Sequence, residues 1–239
     1  MMDKRIRSLE EQLLQLTKRI NALKISTNKP ITDKKQLILW DLETTGLGKT
    51  NEIRICEIGL MHYDGSEKKN WYVNPDVSIS ASAQKVHGLK KAFLDKQPKW
   101  KDVGYHTYMK GIKKPLILCG FNSKRYDSRI LTFENHRAST PTPDDVYFCD
   151  LREVFPRFID LGLSKKSLQH YHVHVMGKEH NDAHTALGDC EALGNIMRSL
   201  PNQKHLYEEI EKKMESNASV LKRCFKSKKL YKQSNTTVH

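Results

Sequence analysis

The stretch LILWDLETTGLGKT, Leu37 to Thr50, admits two readings with opposite charge logic. Its tail, Gly46 to Thr50, looks like the end of a phosphate-cradling loop, whereas its middle offers two carboxylates, Asp41 and Glu43. A phosphate loop needs a glycine five positions before its glycine-lysine pair, because its nest of backbone N–H groups uses φ values that side chains resist. With Gly48-Lys49 as the pair, that position is Glu43, whose charge would repel a phosphate. The carboxylates therefore need another explanation. Residues i and i+2 of a strand share a face, so Asp41 and Glu43 project side by side while Trp40 and Leu42 point the other way. Adjacent carboxylates in an apolar run repel each other, so either one protonates or a cation neutralises both. Hard oxygen donors at this density suit Mg²⁺ or Mn²⁺. The plainer alternative is an aspartate capping the turn at Thr44-Thr45-Gly46.

Two further stretches shift that balance. In CGFNSKRYDSRIL a strand ends at Cys119-Gly120 and a helix begins near Ser123, so Asp127 shares a helical face with Ile130 and Leu131. In NDAHTALGDCEAL the helix expected over 183–200 has the apolar stripe Ala186, Cys190, Leu193, Met197, and Asp189 borders it. An acid at such a border is costly without a partner. Glu191, two positions further round, is the better candidate for solvent. His184 stands five residues before Asp189, in the expected first turn, with Asn181 or Asp182 as N-cap. The positive end of the helix dipole disfavours imidazolium there and keeps a neutral proton acceptor. Four inward-leaning acids from three elements are hard to explain without cations.

Together DLETTG, NSKRYD and HTALGD resemble, in order and spacing, the three motifs of the DEDDh 3′–5′ exonucleases, the DnaQ-like branch of the ribonuclease H-like fold. The resemblance covers about Lys35 to Leu200. KVHGL, Lys85 to Leu89, is similar to the family segment that packs on the terminal nucleotide, and the Arg125-Tyr126-Asp127 run looks most like the three-prime repair (TREX-like) members. The resemblance implies two Mg²⁺ or Mn²⁺ ions held by Asp41, Glu43, Asp127 and Asp189, with His184 taking a proton from the attacking water. It also implies that Thr44 approaches the 3′-hydroxyl, that Leu47 and Val86 wedge against the last base, and that His87, Asn122 and Tyr126 belong to the terminal nucleotide's pocket. For Leu47 and Val86 the competing reading is ordinary core packing. The proline-rich insertion of TREX-like proteins is not seen, so their dimer is not carried over. The expected substrate is DNA, single-stranded or frayed, with RNA as the same-chemistry alternative and a non-catalytic binding module as the alternative from another class.

The expected fold is α/β, a ribonuclease H-like mixed five-stranded sheet with helices on both faces plus an N-terminal amphipathic helix. Strands are expected over 36–42, 53–63, 68–73, 116–119 and 146–149. Three segments follow: 1–34 as helix and linker, 35–202 as exonuclease domain, and 203–239 as a helical then basic, partly disordered tail. Ile6, Leu9, Leu13, Leu16, Ile20 and Leu23 alternate at spacings of three and four. That seam either docks on its own domain or makes a homodimer. The net charge is +13, with the excess concentrated in the two flanks, and the basic run from Lys222 to Lys232 reads as a polyanion contact or a solubilising surface. Five cysteines at irregular spacing fit no disulfide framework, so a reducing nuclear or cytoplasmic setting is expected. No membrane-spanning apolar run or secretory leader is read in the chain. His170, His172 and His174, with Cys149 or His180, form a weak zinc pattern.

Overall fold

The computed structural model describes residues 35–225 apart from 114, 163–165 and 181. The N-terminal heptads and the basic residues beyond 225 lie outside these. The central strand β1, Gln36–Thr44, is buried on both faces because its apolar residues alternate between two cores. Ile38, Trp40 and Leu42 enter one core, while Leu37 and Leu39 enter the other. β2 (Ile55–His62) pairs antiparallel with β1, and β3 (Lys68–Tyr72) pairs antiparallel with β2. β4 (Leu116–Gly120) runs parallel to β1, and β5 (Val146–Asp150) parallel to β4.

The sheet has six strands, in the order β3-β2-β1-β4-β5-β6, not the five expected. The added strand, β6, is Glu215–Ser216, antiparallel to Tyr147-Phe148 of β5. Two residues show no period, so nothing local in the sequence marks them as strand. The segments on either side are held by apolar contacts: Leu206, Tyr207 and Ile210 in one core, Val220 and Cys224 in the other. β1 also runs two residues further than expected, to Thr44, so Glu43 still lies in the ladder opposite Glu57, just before a register shift.

Helices cover both faces. α1 (Ala81–His87), α2 (Lys91–Leu94) and α3 (Tyr105–Gly111) lie between β3 and β4. α4 (Asp127–Arg137) sets Ile130, Leu131 and Phe133 against the Trp40 face. α5 (Leu151–Val154) and α6 (Leu168–Met176) precede α7 (Ala186–Ser199), which sets Cys190, Leu193 and Met197 against the Leu39 face. α8 (Gln203–Lys213) and α9 (Asn217–Cys224) complete the fold. α7 comes unusually close to the sheet at Gly59, the register partner of Asp41: a Cβ there would lie 2.5 Å from the Ala186 carbonyl carbon. Hydrogen at that position lets the start of α7 reach β1.

α7 begins later than the sequence suggests. Its N-cap is Thr185, whose hydroxyl accepts the Gly188 N–H at 3.1 Å, and not Asn181 or Asp182. The Asp182 carbonyl instead accepts the Thr185 hydroxyl at 2.9 Å. His170, His172 and His174 lie on helix α6, where alternate positions diverge; His172 and His180 approach, with ring centroids 5.3 Å apart, but no group of three that includes them could hold an ion among the described residues.

Candidate active site

Parallel strands β1, β4 and β5 end on the same edge of the sheet, where open α/β sheets place ligands. Asp41 and Glu43 continue the Leu37–Leu39 face of β1 into that edge, under the start of α7. Carboxylate oxygens of Asp41, Glu43 and Asp189 all lie within 4.8 Å of one another. Asp127 stands at the first residue of α4, so it arrives from the helix layer on the other side of the sheet. It does not join the three at that mutual distance, yet it lies within their field.

The electrostatics follow from four acids in one place. Burial, then the charges of Asp189, Asp127 and Glu43, push the Asp41 carboxyl well above the usual range. Burial, then Asp189, raises Glu43 to about 8. Burial raises Asp127 to about 8, opposed by a backbone hydrogen bond and reinforced by Asp150 and Asp189. A site that holds protons this tightly is one from which a divalent cation would displace them. Three carboxylates and no sulfur or imidazole at the centre fit a hard ion such as Mg²⁺ or Mn²⁺.

Three acids or bases around this centre are not evident from sequence. Glu57, opposite Glu43, is buried and accepts the Asn70 side-chain N–H at 2.7 Å; burial raises its carboxyl. Asp150, at the end of β5, accepts backbone N–H groups of Asn122 at 2.8 Å, Lys124 at 3.2 Å and Arg152 at 3.0 Å. It thereby fixes the loop that delivers Asp127. His180 donates from Nε2 to Asp189 Oδ1 at 2.8 Å and is held from behind by Gln169 Oε1, 2.5 Å from Nδ1. Its side chain is 10% exposed. No local pattern marks Glu57 or Asp150, and the sequence marks His180, nine residues from Asp189, only as a possible member of the zinc pattern.

His184 sits ahead of α7 instead of in its first turn, with φ at 66° and its own N–H 3.4 Å from Asp189 Oδ1. Its residue is exposed and its imidazole makes no hydrogen bond among the described residues. Positive φ at a non-glycine residue is uncommon, and it turns the His184 backbone out of the helix path.

The expected nucleotide-contacting residues fall into two groups. Thr44, His87, Leu47 and Val86 lie around the end of β1, where His87 Nε2 donates to the Thr44 carbonyl at 3.2 Å and ties α1 to that strand. Leu47 is 89% exposed and Val86 54%, so neither serves as core packing. Asn122 and Tyr126 lie on the Asp127 loop; Asn122 adopts φ 58° and its Oδ1 accepts Arg152 Nη1 at 2.9 Å, while Tyr126 packs partly on the core.

A mixed six-stranded sheet between helix layers, with an acid cluster at the carboxyl end of its central strand, is the ribonuclease H-like arrangement. A family model described as Exonuclease (RNase_T) matches residues 38–197, and the chain belongs to that family of hydrolases. It is 26% identical over 187 residues to DNA polymerase III subunit epsilon of Buchnera aphidicola from Acyrthosiphon pisum, covering 69% of this chain and 72% of the relative. It is 27% identical over 194 residues to Exonuclease DPD1, chloroplastic/mitochondrial, of Arabidopsis thaliana, covering 74% and 60%. Among solved structures, Escherichia coli exonuclease I in complex with a dA16 oligonucleotide superposes with a TM-score of 0.63 at 18% identity, over 73% of this chain and 42% of that one. The chain thus spans under half the length of that protein, and the likeness is one of fold. Among the described residues no helix is long and apolar enough to cross a membrane.

Proposed function

We propose that the protein removes nucleoside 5′-monophosphates one at a time from the 3′ end of DNA, on single strands or frayed ends. The observation that carries this reading is the mutual approach of Asp41, Glu43 and Asp189 to within 4.8 Å beside Asp127 and an unengaged imidazole at His184. Asp41, Glu43 and Asp189 would hold one divalent ion, and Asp41 with Asp127 a second. Bound there, such a pair supplies positive charge to the attacking and leaving oxygens of an in-line phosphodiester displacement. The chain's own groups do the rest. His184 accepts the proton of the attacking water at an imidazole nitrogen, and its position outside the helix leaves it room to do so. Leu47 and Val86, exposed beside β1, stack against the last base without reading its identity. Thr44, anchored through its carbonyl to His87, meets the sugar. The Arg125-Tyr126-Asp127 run supports a TREX-like member.

A digest of matched DNA and RNA oligomers, with free or blocked 3′ ends, tests polarity and sugar together. The expected result is stepwise shortening of free-ended DNA in Mg²⁺, protection by the block, and slower loss of RNA. Equal attack on blocked ends, or faster loss of RNA, would overturn the reading. Unchanged degradation by the Asp189→Asn protein would favour a binding module instead.

A further inference from the structure

Beside Asp127 the surface carries a second charged feature, of opposite sign. A hollow of about 540 Å³ opens between the loop after β4, the start of α5 and α9, walled by Asn122, Arg125, Arg129, Arg152 and Arg223 among others. A smaller one, about 370 Å³, is bounded by Gly48 to Asn51, Tyr126, and again Arg125 and Arg129. Two shared arginines make these one groove, running from the loop after β1 past the start of α4 to α5.

The acids in its wall do not neutralise it. Glu153 is paired with Lys124 at 2.9 Å, and Asp150 is occupied by three backbone N–H groups. Arg223 has Glu215. Arg125, Arg129 and Arg152, by contrast, have no carboxylate partner among the described residues, and Arg125 and Arg152 are exposed. Arg152 is preset by Asn122, whose Oδ1 accepts its Nη1 at 2.9 Å. The groove thus presents guanidinium forks without carboxylates of their own, and such forks match phosphate oxygens. Arginines distributed over two joined hollows suit successive phosphates of a polymer better than one small anion.

We propose that this groove is a phosphodiester track that grips the substrate strand at internal phosphates, away from the reacting 3′ end. The proposal rests on the exonuclease reading above. Its consequence is a dependence on substrate length: a dinucleotide reaches the acid cluster alone, whereas a strand of about eight nucleotides occupies both sites.

The test compares the wild type with Arg125→Gln and with the double variant Arg125→Gln/Arg152→Gln, in which glutamine keeps an N–H donor toward Asn122. The double variant should raise the octamer KM about tenfold, the order expected for lost charge-assisted hydrogen bonds. It should leave the octamer kcat and the dinucleotide kcat/KM within about twofold, since neither arginine reaches the reacting atoms. Binding of a 3′-blocked octamer to Asp189→Asn protein, with and without the arginine changes, gives a readout independent of turnover. There the log–log salt slope should become shallower by about 0.7 per arginine removed. Wild-type octamer affinity and slope in the arginine variants would overturn the track even if digestion proceeds. Equal damage to the dinucleotide would overturn it too, by placing the arginines at the terminal nucleotide. Loss of digestion by wild type with the octamer result intact would sink the exonuclease reading alone. Arg125 is exposed, so the single variant keeps the test valid should the double variant fold poorly.

Discussion

The acid cluster and the arginine groove sit on one edge of one sheet, joined by the loop from Asn122 to Asp127, yet they store unmatched charge in different ways. The cluster's charge is conditional: burial and mutual repulsion push Glu43 and Asp127 up to about 8, so these carboxyls trade protons against any divalent cation that binds them. The groove's charge is permanent, because guanidinium does not deprotonate in this range. A substrate strand needs both, since its phosphates are attracted by the groove and would be repelled by an acid cluster left without cations. On the proposed reading the two regions are complementary, one to order metal against the reacting phosphate, the other to hold the strand that carries it.

The largest break in that comparison is to remove one acid. Asp41→Asn should lower turnover at least about a thousandfold, on the scale of losing metal-supplied stabilisation. It should also raise the metal-free melting temperature, because a repelling neighbour has gone; octamer affinity for the groove should stay near wild type. A melting temperature that falls would show that the acids are not in mutual repulsion.

Gly59→Ala attacks the cluster from beneath. Its methyl meets the Ala186 carbonyl, so the start of α7 must move and carry Asp189 away from Asp41. Activity should fall about a hundredfold with a measurable loss of stability. Mg²⁺ titration of activity in soluble, folded variant protein checks this, and an unshifted activation curve would count against it.

His180→Ala is milder. His180 occupies one oxygen of Asp189, so its loss should raise the Mg²⁺ concentration for half-maximal activity about tenfold, with a smaller effect on kcat at saturating Mg²⁺. His180→Gln, which can still donate, should recover part of it. An activation constant equal to wild type in both would make the histidine a packing residue.

The smallest effect sharpens the contrast in charge. Carboxyls raised in the folded state bind more protons there than in the unfolded chain, so their contribution to metal-free stability is fully present below about pH 4 and is lost as pH rises toward 8. A drop in melting temperature across that window checks the sign. Mg²⁺ should stabilise more at pH 8 than at pH 5. Octamer binding by the groove should change far less across the same range. Scanning calorimetry and anisotropy at matched ionic strength measure the two together, and a flat metal-free melting profile would refute the cluster's part.

Local pattern was enough for the parts of this protein that repeat locally. Strand alternation set Asp41 and Glu43 on one face and Trp40 and Leu42 on the other; helical spacing marked the Ala186–Cys190–Leu193–Met197 stripe and put Asp189 at its edge. Where local chemistry offers near-equal choices it misled: several polar residues precede α7, and Thr185 caps it because its hydroxyl is the side-chain group that reaches the Gly188 N–H.

Sequence by itself therefore determined that Asp41, Glu43, Asp127 and Asp189 lean inward, though not Glu57 or Asp150, because periodicity is a property of the backbone that every strand and helix shares. The tertiary structure decided that Asp127 reaches the cluster from the opposite helix layer, that Gly59 lets α7 descend onto β1, that His180 holds Asp189, and that arginines from 125 to 223 wall one groove. Each of these depends on groups distant along the chain meeting in space, and such meetings are fixed by how whole elements pack, which no local spacing encodes.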